Sequence, residues 1–154
     1  MTWSKARGRV AALALVALTM CGAASRVEAA CTVTTAGVIF GTYSVFSATA
    51  LVSTGIISLS CAPNDKNVTV TLSTGSSLTY VSRRLSGPGA NVLNYNLFMD
   101  SAYTQTWGDG TGGTSFYSNF KPFSVDLTVY GRIPAGQDVQ AGAYSDTIVI
   151  TVNF

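Results

Sequence analysis

The residues of this 154-residue chain that could do chemistry are few, and their types exclude more than they permit. There is no histidine, which removes the commonest general base and the commonest zinc ligand. Without it no Ser-His-Asp or Cys-His arrangement can be assembled. Glu28 is the only glutamate, so carboxylate chemistry otherwise rests on Asp65, Asp100, Asp109, Asp126, Asp138 and Asp146. A pair of aspartates could serve a glycosidase, but these six sit mainly beside turn residues. Asp65 follows Asn64, and Asp109 lies between Gly108 and Gly110, where a short carboxylate bonds its own backbone. The run Gly108-Asp109-Gly110-Thr111-Gly112-Gly113 offers calcium one carboxylate where six or more oxygens are needed, and it lacks EF-hand spacing. It reads as a flexible turn. No catalytic residue, metal ligand or cofactor site is expected, and the chain reads as non-enzymatic.

Three further groups have both a bland and a sharper reading. Asn67-Val68-Thr69 matches a glycosylation acceptor sequence but falls in a predicted strand and is discounted. Arg83-Arg84 is an isolated basic doublet and reads as a solvated loop. Tyr103, Trp107, Phe116 and Tyr117 flank the glycine-rich run. They could form a sugar-stacking or hydrophobic contact surface, or they could cap the open end of a sandwich.

The first thirty residues read as an address label. Lys5, Arg7 and Arg9 precede the apolar run Val10 to Met20, which is too short to span a bilayer. Cleavage is expected after Ala29, with Ala24 as the alternative, and Glu28 argues against a lipoprotein signal before Cys31. The expected organisation is a signal peptide over 1–29 and one domain over 30–154, with no integral membrane segment in the mature chain. The net charge of +2 belongs mostly to the leader. The mature chain keeps five basic residues against six aspartates, which leaves no electrostatic footprint for nucleic acid. Two cysteines remain, Cys31 and Cys61, and an even pair in an exported chain reads as a disulfide, the alternative being two buried free thiols.

The elements that must position these residues are strands. Apolar residues alternate with polar ones over Ile56 to Cys61, Val68 to Ser73, Leu93 to Met99 and Phe123 to Val129, the period of half-buried strands. Shorter strands are predicted over Thr32 to Ile39, Leu78 to Val81 and Ser115 to Tyr117, with Trp107 to Thr114 as a loop. Regular short strands without helical periodicity predict an all-β sandwich. The last stretch, Tyr144 to Phe154, alternates with Ile148, Ile150, Val152 and Phe154 on one face. No hairpin partner follows it, so it either pairs only with earlier segments or offers a free edge to another chain.

Several short motifs occur together in order: Cys31-Thr32-Val33, Phe40-Gly41-Thr42-Tyr43, Cys61 and Leu93-Asn94-Tyr95-Asn96-Leu97-Phe98-Met99-Asp100. They continue with Trp107-Gly108-Asp109-Gly110, Tyr130-Gly131-Arg132-Ile133-Pro134-Ala135-Gly136-Gln137 and Gly142-Ala143-Tyr144-Ser145-Asp146-Thr147. With this set the chain resembles the spore coat protein U family, which includes subunits of archaic chaperone–usher pili of the Csu type. The resemblance implies an immunoglobulin-like sandwich lacking its final strand. It implies a periplasmic chaperone that lends that strand, a neighbouring pilus subunit that replaces it, and an outer-membrane usher that exports the polymer to the cell surface. The acceptor edge would be Tyr144, Ile148, Ile150, Val152 and Phe154. Cys31 lies almost at the expected cleavage site and leaves no arm of about ten extended residues to donate, so the subunit is expected to accept a strand without giving one, as a distal or minor subunit. The alternative is a self-contained surface adhesin or carbohydrate-binding module using the aromatics near Trp107.

Overall fold

A computed structural model describes residues 31–121 and 123–154; the expected signal peptide, 1–29, lies outside the described residues. The eight strands are β1 (Cys31–Ala36), β2 (Leu51–Cys61), β3 (Val68–Leu72), β4 (Arg83–Ser86), β5 (Val92–Phe98), β6 (Tyr117–Asn119), β7 (Ser124–Ile133) and β8 (Ile150–Asn153). A single 3-10 turn, Gly75–Ser77, interrupts them among the described residues. All pairings are antiparallel, in a five-stranded sheet of order β1-β2-β7-β5-β4 and a three-stranded sheet of order β6-β3-β8. The expected all-β sandwich is the observed fold.

The period-2 alternation places the core. Ile57 and Leu59 of β2, Val129 and Ile133 of β7, and Leu93, Tyr95 and Leu97 of β5 are buried on the inner face of the larger sheet. Val68, Val70 and Leu72 of β3 face them from the smaller one. The Cys31–Cys61 disulfide joins directly opposed residues at one end of the β1/β2 ladder. On the chain-entropy model a crosslink at this separation stabilises by roughly 3–4 kcal/mol.

Four elements differ from the sequence expectation. The strand predicted over Leu78 to Val81 is absent: Leu78 closes the 3-10 turn with φ 60°, and Ser77 holds Thr79 in a local hydroxyl turn. The Arg83-Arg84 doublet, read as a solvated loop, instead opens β4. Phe123 precedes β7 and is exposed rather than inward. β2 begins five residues earlier than Ile56: of its inward positions there only Leu51 is large, and Ser53 and Gly55 are too small to continue an apolar alternation.

Those small residues have a packing reason. After Ala36 the chain leaves β1 and crosses the inner face of the larger sheet, laying Val38 and Phe40 over Gly55 and Gly131. A Cβ on Gly131 would lie 2.6 Å from Val38 Cγ1 and 2.7 Å from Phe40 Cζ; one on Gly55 would lie 2.7 Å from the Ala36 carbonyl oxygen. Phe40 then meets Tyr95 edge to face, with centroids 5.9 Å apart. We predict that Gly131→Ala lowers unfolding free energy in denaturant titration by about 1–3 kcal/mol through overpacking. Gly37→Ala, whose added methyl meets nothing within 4 Å, should stay within about 0.5 kcal/mol of wild type.

Candidate functional site

From Tyr144 to Val152 the even-numbered residues turn inward and the odd ones outward. The inward members are buried to very different degrees in neighbouring strands. Val68 and Val70 of β3 are 0 % exposed and Leu72 is 2 % exposed. Ile148, Ile150 and Val152 are only half-buried, and Phe154 is 53 % exposed. β8 is bonded to β3 on one side, and among the described residues no strand pairs with its other side. The smaller sheet is two strands narrower than the larger, a difference of roughly 10 Å at normal strand spacing.

The gap opens between β8 and the chain leaving β1. A cleft of about 250 Å³ runs between Ala36, Val38 and Phe40 on one side and Ile148 and Ile150 on the other, with Leu97 among the residues lining it. A wider hollow of about 880 Å³, lined by Tyr43, Leu93, Ile133, Val139 and Tyr144, shares Val38, Phe40, Leu85 and Asp146 with the cleft. Together they form one groove with two lips. The lip from Tyr144 onward coincides with the alternation seen in the sequence; of the other, Ala36 to Phe46, the sequence marks only the part up to Ile39, as the end of a short strand.

Polar contacts hold both lips in place. Ser145 exchanges two backbone hydrogen bonds with Ser86 of β4, and Val149 accepts from the Ser73 amide, so this lip passes from the larger sheet to the smaller. That passage explains why its regular ladder begins only at Ile150, six residues later than the alternation. Asp146 is fixed between the sheets. Its Oδ2 accepts the Tyr95 hydroxyl at 2.8 Å, and its Oδ1 accepts the amides of Ser76 at 3.0 Å and Thr147 at 2.9 Å. Burial, and then the bond to this carboxylate, push the Tyr95 phenol far above its ordinary range. At the far end Tyr43 donates to the Pro134 carbonyl and accepts from the Gln137 amide.

Beneath this lip sits a residue that sequence reasoning missed. Arg83 is fully buried. Its Nε and Nη2 donate to the Ser73 carbonyl, Nη2 also donates to the Trp107 carbonyl, and Nη1 donates to Asn96 Oδ1 at 2.7 Å. The guanidinium lies 5.2 Å from the Tyr80 ring centroid, and burial lowers its pKa. Only the spacing of Arg83 to Leu85, two residues on one strand face, hinted at an inward position.

The other candidate residues are placed apart from the groove chemistry. Trp107 is 1 % exposed and donates its indole N–H to the Val70 carbonyl, so of its two readings it is a core residue and cannot join a surface contact. Tyr103 packs edge to face on Phe98 and Tyr130 with Arg132 above it; Phe116 lies over Gly110; Tyr117 packs against the core from β6. These four do not share one exposed aromatic surface. Asp109 accepts from the Thr111 amide and hydroxyl, which hold its pKa down, and Asp100 is held down by the Gln105 amide and by the amide and hydroxyl of Thr104. Both carboxylates brace their own turns. Asp65 accepts the Ala62 amide beside Cys31 and Cys61, whose sulfurs are joined to each other. Asn67 stands in the turn before β3, exposed, with Val68 behind it buried.

Arg83→Met should cost about 2–5 kcal/mol in denaturant unfolding, since the carbonyls of Ser73 and Trp107 and the Asn96 amide oxygen lose their buried donor. Arg83→Lys should recover less than half of that loss, because one ammonium cannot reproduce the guanidinium fork.

Residues 17–151 match the family model for the Spore Coat Protein U domain. A curated relative, Protein U of Myxococcus xanthus, is 33 % identical over 118 residues, spanning 75 % of this chain and 61 % of that protein. The chain thus spans about three-fifths of that relative's length. Among solved structures, a chain in the complex of the chaperone CsuC with the tip adhesion subunit CsuE, from the archaic chaperone–usher Csu pili of Acinetobacter baumannii, superposes with a TM-score of 0.57. The identity is 22 %, over 82 % of this chain and 40 % of that one, and the likeness is one of fold.

Proposed function

The chain belongs to the Spore Coat Protein U domain family, and we propose that it is an exported, non-enzymatic structural subunit of a chaperone–usher pilus or surface coat. In this reading its groove is completed by a strand from another polypeptide. The observation that carries the proposal is the incomplete burial of Ile148, Ile150 and Val152 beside an edge that no strand pairs with among the described residues. An open edge with apolar residues behind it invites edge-to-edge aggregation. An added strand removes that hazard, since its main chain bonds the edge and its alternate side chains fill the groove. Each aliphatic side chain moved from water into such a cleft contributes about 1.5–3 kcal/mol at full burial. The Csu complex, a chaperone bound to a subunit, supports by analogy of fold a chaperone as first partner; a neighbouring subunit afterwards and an usher as the export route complete the proposed assembly.

A finer reading follows from Cys31. It is tied to Cys61 at the first position of β1, so nothing from Cys31 onward is free to serve as a donor arm. With cleavage after Ala29 the mature subunit accepts a strand and donates none, which suits a terminal or minor position. Intact mass of the exported protein tests this. A mature chain starting at Ala30 is expected; ten or more residues before Cys31 would overturn the acceptor-only reading.

The groove itself is tested by exporting the full chain with and without a chaperone of the chaperone–usher class. Soluble one-to-one complexes are expected with the chaperone and aggregated chain without it. Ile148→Asp should weaken capture of chaperone or of a synthetic alternating peptide at least about tenfold, while the Cys31–Cys61 disulfide still forms. A chain that stays monomeric and stable alone, indifferent to chaperone and peptide, would refute the proposal.

A further inference from the structure

Resting on the reading of the groove as a strand acceptor, we propose that Asp146 selects what enters it. The incoming strand carries a hydrogen-bond donor, a hydroxyl or a basic side chain, at the inward position facing Asp146. Apolar side chains flank that position two residues away on each side.

Tyr144, Asp146, Ile148 and Ile150 lie at successive inward positions of one lip, and Asp146 lines both the narrow cleft and the wider hollow. The lip thus reads apolar, charged, apolar, apolar along its inner face, and a strand laid beside it meets that sequence in register. A carboxylate presents about four lone-pair sites. Asp146 uses three of them, two on Oδ1 for the amides of Ser76 and Thr147 and one on Oδ2 for the Tyr95 hydroxyl. One acceptor site of Oδ2 is left over, on a residue that lines both hollows. The three bonds hold the side chain there, and it sits against Gly75, whose missing Cβ leaves room for the carboxylate. Arg83 spends its donors on Ser73, Asn96 and Trp107 rather than on Asp146. An apolar strand closing over the free acceptor would take it out of solvent and supply no donor in exchange. A threonine or lysine keeps the carboxylate satisfied, and an acidic side chain brings like charges together.

The test uses the full chain, exported and held as its chaperone complex, with three eleven-residue peptides of alternating Val and Ser. They differ only at the central inward residue, which is Val, Thr or Asp, and affinity is read by displacement of a fluorescent peptide. The Thr peptide should bind at least about tenfold tighter than the near-isosteric Val peptide, as expected for a hydrogen bond to a charged group. The Asp peptide should bind weakest. At a flanking inward position the same Val-to-Thr change should weaken binding. In Asp146→Asn the Asp penalty should vanish and the Thr preference should fall below about threefold. If this variant does not fold, the wild-type comparison alone decides. Equal binding of the Val and Thr peptides, or tighter binding of Val, would overturn the inference and leave the acceptor reading standing. So would an Asp146→Asn variant that self-associates more but sorts the peptides as wild type does, since Asp146 would then merely guard the edge. Failure of every peptide to bind would overturn both.

Discussion

A sheet face buries its side chains only as far as backbone lies opposite it. Here five strands face three, and the deficit falls beside β8, where the inward alternation continues without a neighbouring chain to cover it. Most of the molecule's distinctive features follow from that imbalance. The core is complete along β3, where Val68, Val70 and Leu72 are sealed, and incomplete one strand over. The crossing of Val38 and Phe40 over Gly55 and Gly131 recovers part of the missing cover at one end of the sandwich. What remains open is a groove with an apolar floor and one free row of backbone donors and acceptors.

An open groove is useful only if its lips do not collapse into it. The buried polar contacts answer that requirement. Arg83 ties β4 to the end of β3 and to the Trp107 segment, while Asp146 ties the β8 approach to Tyr95 of the larger sheet. Tyr43 fastens the opposite lip to Pro134 and Gln137. These contacts leave the edge in place before anything binds, so less ordering entropy is lost on binding.

How much of this could be read beforehand follows from what each residue type signals. The core strands β3 and β5 and the alternation after Tyr144 were legible because Val, Ile, Leu and Tyr repeat at period two. β4 was not, since two arginines carry no apolar signal and burial of Arg83 depends on carbonyls brought in from Ser73 and Trp107. The first half of β2 was hidden for the opposite reason: after Leu51 its inward residues, Ser53 and Gly55, are small where another segment rests on them. The sequence leaves Trp107 open between cap and surface contact because it stands next to a glycine-rich turn, whereas its indole N–H is bonded to the Val70 carbonyl of β3. One lip of the groove could be read from local pattern. Asp146 could not be distinguished from other turn aspartates, because its partners come from Tyr95 and Ser76, remote in sequence.

The disulfide has a mechanical consequence. β1 is an edge strand whose six residues pair antiparallel with β2 from the Cys31–Cys61 end. Fraying from that end would otherwise open the ladder pair by pair, the geometry in which hydrogen bonds resist least. The covalent link fastens the end to β2, which is flanked by β1 and β7 and bonded along its length to the latter. The outermost ribbon is therefore locked to its sheet at the end where unzipping would begin.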